Sequence, residues 1–80
     1  MDITVRVFAA YADALGMTEL PLALPDGATV SDAIRSVSLL PGGKILPGAP
    51  LVAVNHTYAK AGVRLNDGDE VALIPPVSGG

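Results

Sequence analysis

The sequence predicts a single α+β domain: a mixed sheet with one main helix packed across one face and a short extra helix after the first strand. Three observations predict it. The chain opens on a strict apolar–polar alternation, Ile3-Thr4-Val5-Arg6-Val7. A capped amphipathic helix starts at Thr29, and two apolar runs, Leu51-Val52-Ala53-Val54 and Val71-Ala72-Leu73-Ile74, come late in the chain. A chain of 80 residues hides roughly 60% of its unfolded surface, enough for one modest core and not for two.

The opening alternation has the period of a strand with one buried face. Phe8, Tyr11, Ala12 and Leu15 then fall at the spacing of a helical stripe, which Gly16 ends. Thr18 to Leu24 predicts a second strand, and Pro21 within it suits an edge. Pro25-Asp26-Gly27 is a turn. At Thr29 the hydroxyl can cap the first free amides while Asp32 reaches back, so Asp32 is a cap and not a base; Val30, Ala33, Ile34 and Val37 form the buried stripe.

From Leu39 to Pro50 the chain is so rich in Pro and Gly that a loop without regular structure is expected. Leu51 to Val54 is apolar throughout, which predicts a strand covered on both faces. Asn55-His56 turns into a short strand around Thr57 to Ala59, and Leu65-Asn66-Asp67-Gly68-Asp69 is a turn. Glu70 to Ile74 is the last strand, stopped by Pro75-Pro76. Residues 1–76 are therefore expected to form the domain and 77–80 an extended tail. One helix covers one face of a sheet, so the apolar residues on the other need a second cover or a partner protein, in keeping with a mean hydropathy of +0.49.

Composition narrows the function. Five Lys/Arg against eight Asp/Glu give a net charge of −3, and the basic residues are scattered, so no nucleic acid is expected as a ligand. The absence of cysteine excludes a disulfide framework, a thiolate metal site and a cysteine nucleophile. Met1-Asp2-Ile3 does not begin a signal peptide, and the longest uncharged stretch, Ile45 to Ala59, is broken by Pro47 and Pro50. No membrane span and a cytoplasmic location are the expectations. Pro41-Gly42-Gly43-Lys44-Ile45 imitates the tail of a P-loop, but Ser38 stands where its first Gly belongs and Ile45 where Ser or Thr should follow Lys.

His56 is expected to be structural or exposed, without catalytic role, and Asp67, Asp69 and Glu70 to shape and solvate a turn rather than hold a cation. Tyr11 and Tyr58 are expected to be partly in the core.

The chemistry lies at the end, Pro75-Pro76-Val77-Ser78-Gly79-Gly80. The prolines stiffen the exit from the sheet, Val77 offers an apolar anchor, and two residues without Cβ let a terminal carboxyl enter a narrow slot. A carboxylate resists nucleophiles until it is joined to AMP. An amine then yields an isopeptide bond, and a sulfur donor yields a thiocarboxylate. Nothing in the chain binds ATP, so activation must come from another protein.

Three stretches, Val52-Ala53-Val54-Asn55-His56-Thr57, Leu65 to Val71 and Pro75 to Gly80, resemble the ubiquitin-like sulfur carriers of the MoaD/ThiS family, most of all the branch serving molybdopterin synthase. The resemblance implies a β-grasp fold in which Gly80 carries the thiocarboxylate, Gly79 gives clearance, and Pro75, Pro76, Val77 and Ser78 line the docking. It implies two partners: a MoeB-like, E1-like adenylyltransferase that holds the ATP, and a MoaE-like large subunit that supplies the acid–base residues. No cofactor or metal is implied on this chain. Thiamine carriers usually lack a helix between the first two strands, which Phe8 to Leu15 supplies here. Carriers for tRNA thiolation or cysteine synthesis share the tail, a protein modifier uses the same chemistry on lysine, and a plain interaction domain would leave the tail inert.

Overall fold

The alternation at the start of the chain becomes a central strand. In the computed structural model, which describes residues 1–76, β1 (Asp2–Val7) points Ile3, Val5 and Val7 into the core. α1 (Ala9–Leu15) follows and ends at Gly16, whose φ of 72° gives the left-handed C-terminal cap. β2 (Glu19–Ala23) pairs antiparallel with β1 and forms one edge of the sheet, with Pro21 in it as expected.

α2 (Val30–Ser38) starts at the anticipated capping box. The Asp32 N–H donates to Thr29 Oγ1 at 3.4 Å, and the Thr29 N–H donates to Asp32 Oδ2 at 2.8 Å. Two more first-turn amides are satisfied by the loop before the last strand: Val30 N–H donates to the Val63 carbonyl and Ser31 N–H to that of Ala61, both at 2.9 Å. Val30, Ala33 and Val37 are buried and Ile34 packs against the same core.

β3 (Leu51–Val54), β4 (Thr57–Tyr58) and β5 (Glu70–Ile74) complete a five-stranded sheet ordered β2-β1-β5-β3-β4. β5 lies parallel to β1 and antiparallel to β3. Val52, Val71 and Leu73 face α1 and α2, and each such side chain fully removed from water contributes about 1.5–3 kcal/mol. No helix among the described residues is long and apolar enough to cross a membrane.

Five expectations need correcting. The Leu39–Pro50 segment contains one 3-10 turn, Gly43–Ile45, seated between the C-terminal ends of α1 and α2. Its glycines serve close approach: a Cβ on Gly42 would stand 2.1 Å from the Ala14 carbonyl oxygen, and one on Gly43 would stand 2.3 Å from that of Val37. Phe8 is outside the α1 stripe. It is the N-cap residue, still extended, so it continues the alternation of β1 onto the opposite face and is 42% exposed.

β3 is not covered on both faces, because both helices pack on one side and leave Leu51 50% exposed. Tyr58 is 70% exposed for the same reason, whereas Tyr11 is buried as expected. Asp69 is buried rather than solvated. Its Oδ1 accepts from Asn55 Nδ2 at 2.9 Å and its Oδ2 from the Asn66 N–H at 2.8 Å, which supplies in protein bonds what burial takes from water.

Candidate functional site

The strand that ends the domain lies at the centre of the sheet. β5 runs between β1 and β3, with Leu73 opposite Val7 and Ile74 opposite Leu51. Pro75 and Pro76 follow, half-buried and exposed respectively, and neither can donate to a ladder. The chain is therefore delivered to one end of the sheet, between exposed Phe8 and Leu51. The other sequence-predicted site residues, Val77, Ser78, Gly79 and Gly80, lie outside the described residues.

Beside this exit opens a cavity of about 480 Å³ on the helix-free face of the sheet. Phe8 and Ile74 line the end near the exit, and Ala53, Ala72 and Tyr58 line the middle. At the far end three charged or titratable groups meet. Arg6 Nη1 donates to Glu70 Oε1 at 3.1 Å, and His56 Nε2 stands 3.5 Å from Glu70 Oε2. These side chains are partly to largely exposed, so the Arg6–Glu70 pair is worth about 0–1 kcal/mol and, with His56 beside it, serves to fix a polar rim.

Three residues with positive φ, at two places in the chain, shape the walls. The turn between β3 and β4 places Asn55 at φ 49° and His56 at φ 72°, the paired left-handed geometry that two-residue hairpins favour. Asn55 tolerates it and holds the turn to β5: its Oδ1 accepts from the Glu70 N–H at 2.9 Å while its Nδ2 donates to Asp69. On the other side Ala9 has φ 48°. The chain bends sharply there, which lets Phe8 stay on the open face while Tyr11 turns into the core.

Sequence reasoning foresaw an apolar face needing a cover but did not assemble this cavity, because Arg6, Ala53, Tyr58 and Ala72 belong to four different strands. The signal available was the parity of each strand, with Arg6 and Phe8 opposite in phase to Val5 and Val7. Among the described residues the cavity lining brings no nucleophile against a base, and no group of three or more His, Cys, Asp or Glu is placed to hold a metal.

The ThiS family model matches residues 5–80. A curated relative, the molybdopterin synthase sulfur carrier subunit of Chlamydomonas reinhardtii, is 35% identical over 83 residues, covering 100% of both chains. The crystal structure of small archaeal modifier protein 1 of Haloferax volcanii superimposes with a TM-score of 0.85 at 28% identity, covering 95% of this chain and 98% of that one. A complex of subunits 1 and 2 of the molybdopterin-converting factor of Helicobacter pylori contains a chain that matches with a TM-score of 0.73 at 25% identity, over 100% of both. The sheet order, the capped helix across one face and the outgoing central strand are those of a ubiquitin-like β-grasp, and the chain belongs to the ThiS family, the MoaD/ThiS sulfur carriers that its turns and tail resemble.

Proposed function

We propose that this chain is the sulfur-carrier small subunit of a molybdopterin synthase, and that its terminal Gly80 is the carrier. The carboxylate attacks ATP on an E1-like adenylyltransferase, releasing pyrophosphate and forming the acyl-adenylate. Hydrosulfide, or a persulfide followed by a thiol that reduces the acyl disulfide, then displaces AMP and leaves a thiocarboxylate. The tail enters the large subunit, where the thiocarboxylate sulfur bonds to carbon of a pterin precursor of the dithiolene. Water then cleaves the acyl–sulfur bond, leaving the sulfur on the pterin and restoring the carboxylate. Gly79 gives the clearance, and Pro75, Pro76, Val77 and Ser78 line the docking.

The observation that carries this reading is the placement of β5: the central strand of the sheet ends in Pro75-Pro76 beside an apolar groove that no helix among the described residues covers. A scaffold so built presents a tail and a docking face to the same protein. α1 adds support, since it fills the place between the first two strands where the MoaD-like branch has a helix. The carrier works with its partners and is not a catalyst alone.

The test is intact-mass analysis of the chain after incubation with the adenylyltransferase, ATP and a sulfur donor. One oxygen replaced by sulfur, mapped to Gly80, is the expected result. Deletion of Gly80 should abolish transfer while far-UV circular dichroism shows the fold retained; a deletion variant that still transfers sulfur refutes the proposal. The similarity to an archaeal modifier protein favours a second reading, in which the acyl-adenylate is opened by a lysine amine. Isopeptide adducts to many proteins, with no thiocarboxylate, would select it.

A further inference from the structure

Ala53 and Ala72 are direct cross-strand partners on β3 and β5, at the centre of the face that no helix covers. Ala is a poor strand former, and on a strand position facing water Thr or a charged residue serves both pairing and solubility better. The opposite face of the same strands carries Val52, Val71 and Leu73. Two small apolar residues here break the local rule with no gain to the fold, which is the mark of a position kept for another purpose.

Their neighbours are tall. Arg6 stands beside Ala72 and Tyr58 beside Ala53, so across β1, β5, β3 and β4 the side chains run long, short, short, long. Three strand spacings of about 4.8 Å separate the two walls. Ala53 is only 7% exposed although no helix among the described residues covers this face, because it is recessed between them.

We infer that Ala53 and Ala72 are specificity residues, the floor of a socket that takes one bulky apolar side chain from the protein that receives the tail. The identity of that protein, the large subunit, rests on the proposed function. A small metabolite fits the socket poorly: among the described residues it has walls and a floor but no roof, whereas small-molecule sites bury about 70–90% of their ligand. A side chain carried on a second protein brings its own roof. β5 supplies both Ala72 and, beyond Ile74, the exit at Pro75, so a protein that receives the chain beyond Pro76 meets the socket on the same strand. An apolar centre with the Arg6–Glu70–His56 cluster at its edge has the layout of a binding hot spot inside a polar rim.

The experiment is calorimetric titration of the whole chain into the molybdopterin synthase large subunit of its own organism. Ala72→Ile raises the floor with a residue that strands prefer, so unfolding temperature should hold or rise while binding weakens by about ten- to a hundredfold. Ala72→Ser, which keeps the floor low, should bind like wild type. An Ala72→Ile chain that binds as tightly as wild type overturns the inference. So does a wild-type homodimer in sedimentation that Ala72→Ile dissolves, since the socket would then belong to a second copy. A wild type that gives no heat with the large subunit removes the proposed partner and the inference with it, whereas weakening confined to Ala72→Ile supports both.

Discussion

Replacing Gly42 by Ala should be the most damaging single-methyl change in this chain. Gly42 has φ +85°, a conformation that costs an L-residue with a Cβ about 1–2 kcal/mol. The new methyl would also lie 2.1 Å from the Ala14 carbonyl oxygen and 2.8 Å from its carbon. Those atoms are backbone, so α1 or the 3-10 turn must move by more than an ångström, and overpacking of this kind costs roughly 1–3 kcal/mol. The two effects together come to about 2–5 kcal/mol, against a total stability of about 4–12 kcal/mol for a domain of this size.

At about 4–8 °C per kcal/mol, the midpoint of thermal unfolding should fall by at least roughly 8 °C. Circular dichroism melts of three variants separate the causes. Gly43→Ala meets the Val37 carbonyl oxygen at 2.3 Å without a left-handed φ, so it should report the clash alone. Gly48→Ala has nothing within 4 Å of the added carbon and no positive φ, and should be neutral or stabilising by about 0.4–1 kcal/mol. A Gly42→Ala protein that melts within about 3 °C of wild type would refute the seating of this turn against α1.

Further predictions concern the cap, the turn clamp and the core. The Thr29 N–H, then the Thr29 hydroxyl and then the charge of Arg35 hold the Asp32 carboxyl below its ordinary pKa. A depressed carboxyl stabilises the fold above its unfolded pKa of about 3.9 and loses that contribution as pH falls through the folded value. The stability gap between wild type and Asp32→Ala, from urea titrations, should therefore be constant near neutrality and close in acid; a gap undiminished in strong acid counts against the capping box. Asn55→Ala strips the buried Asp69 of one partner and the Glu70 N–H of its acceptor, and should cost about 1–3 kcal/mol, with faster amide exchange at Glu70. No loss in chemical denaturation would mean that the turn is not clamped to β5. Leu73→Ala empties a site that is 1% exposed between sheet and helices and should cost about 2–5 kcal/mol; a shift below half that would show the site able to collapse.

Local signals stated much of this protein outright. The alternation of Ile3, Val5 and Val7, the Thr29–Asp32 box, the proline on an edge strand and the Asn-Asp-Gly turn each follow from chemistry within a few residues, where spacing alone decides the geometry. The Pro-Pro-Val-Ser-Gly-Gly ending and the family are legible for the same reason, since a tail is recognised by its residues in order. What spacing could not say was which residues meet from afar. Phe8 read as a helical stripe residue because its i+3 and i+4 neighbours are apolar; only the bend at Ala9 shows that it belongs to the strand's outer face. Asp69 looked solvated until Asn55, fourteen residues away, came to its carboxylate, and Tyr58 looked partly in the core until both helices took the other side. Sequence determines the elements because backbone preference and capping act locally. Tertiary structure alone decided the socket, because strand order β2-β1-β5-β3-β4 sets Arg6, Ala72, Ala53 and Tyr58 side by side from distant parts of the chain.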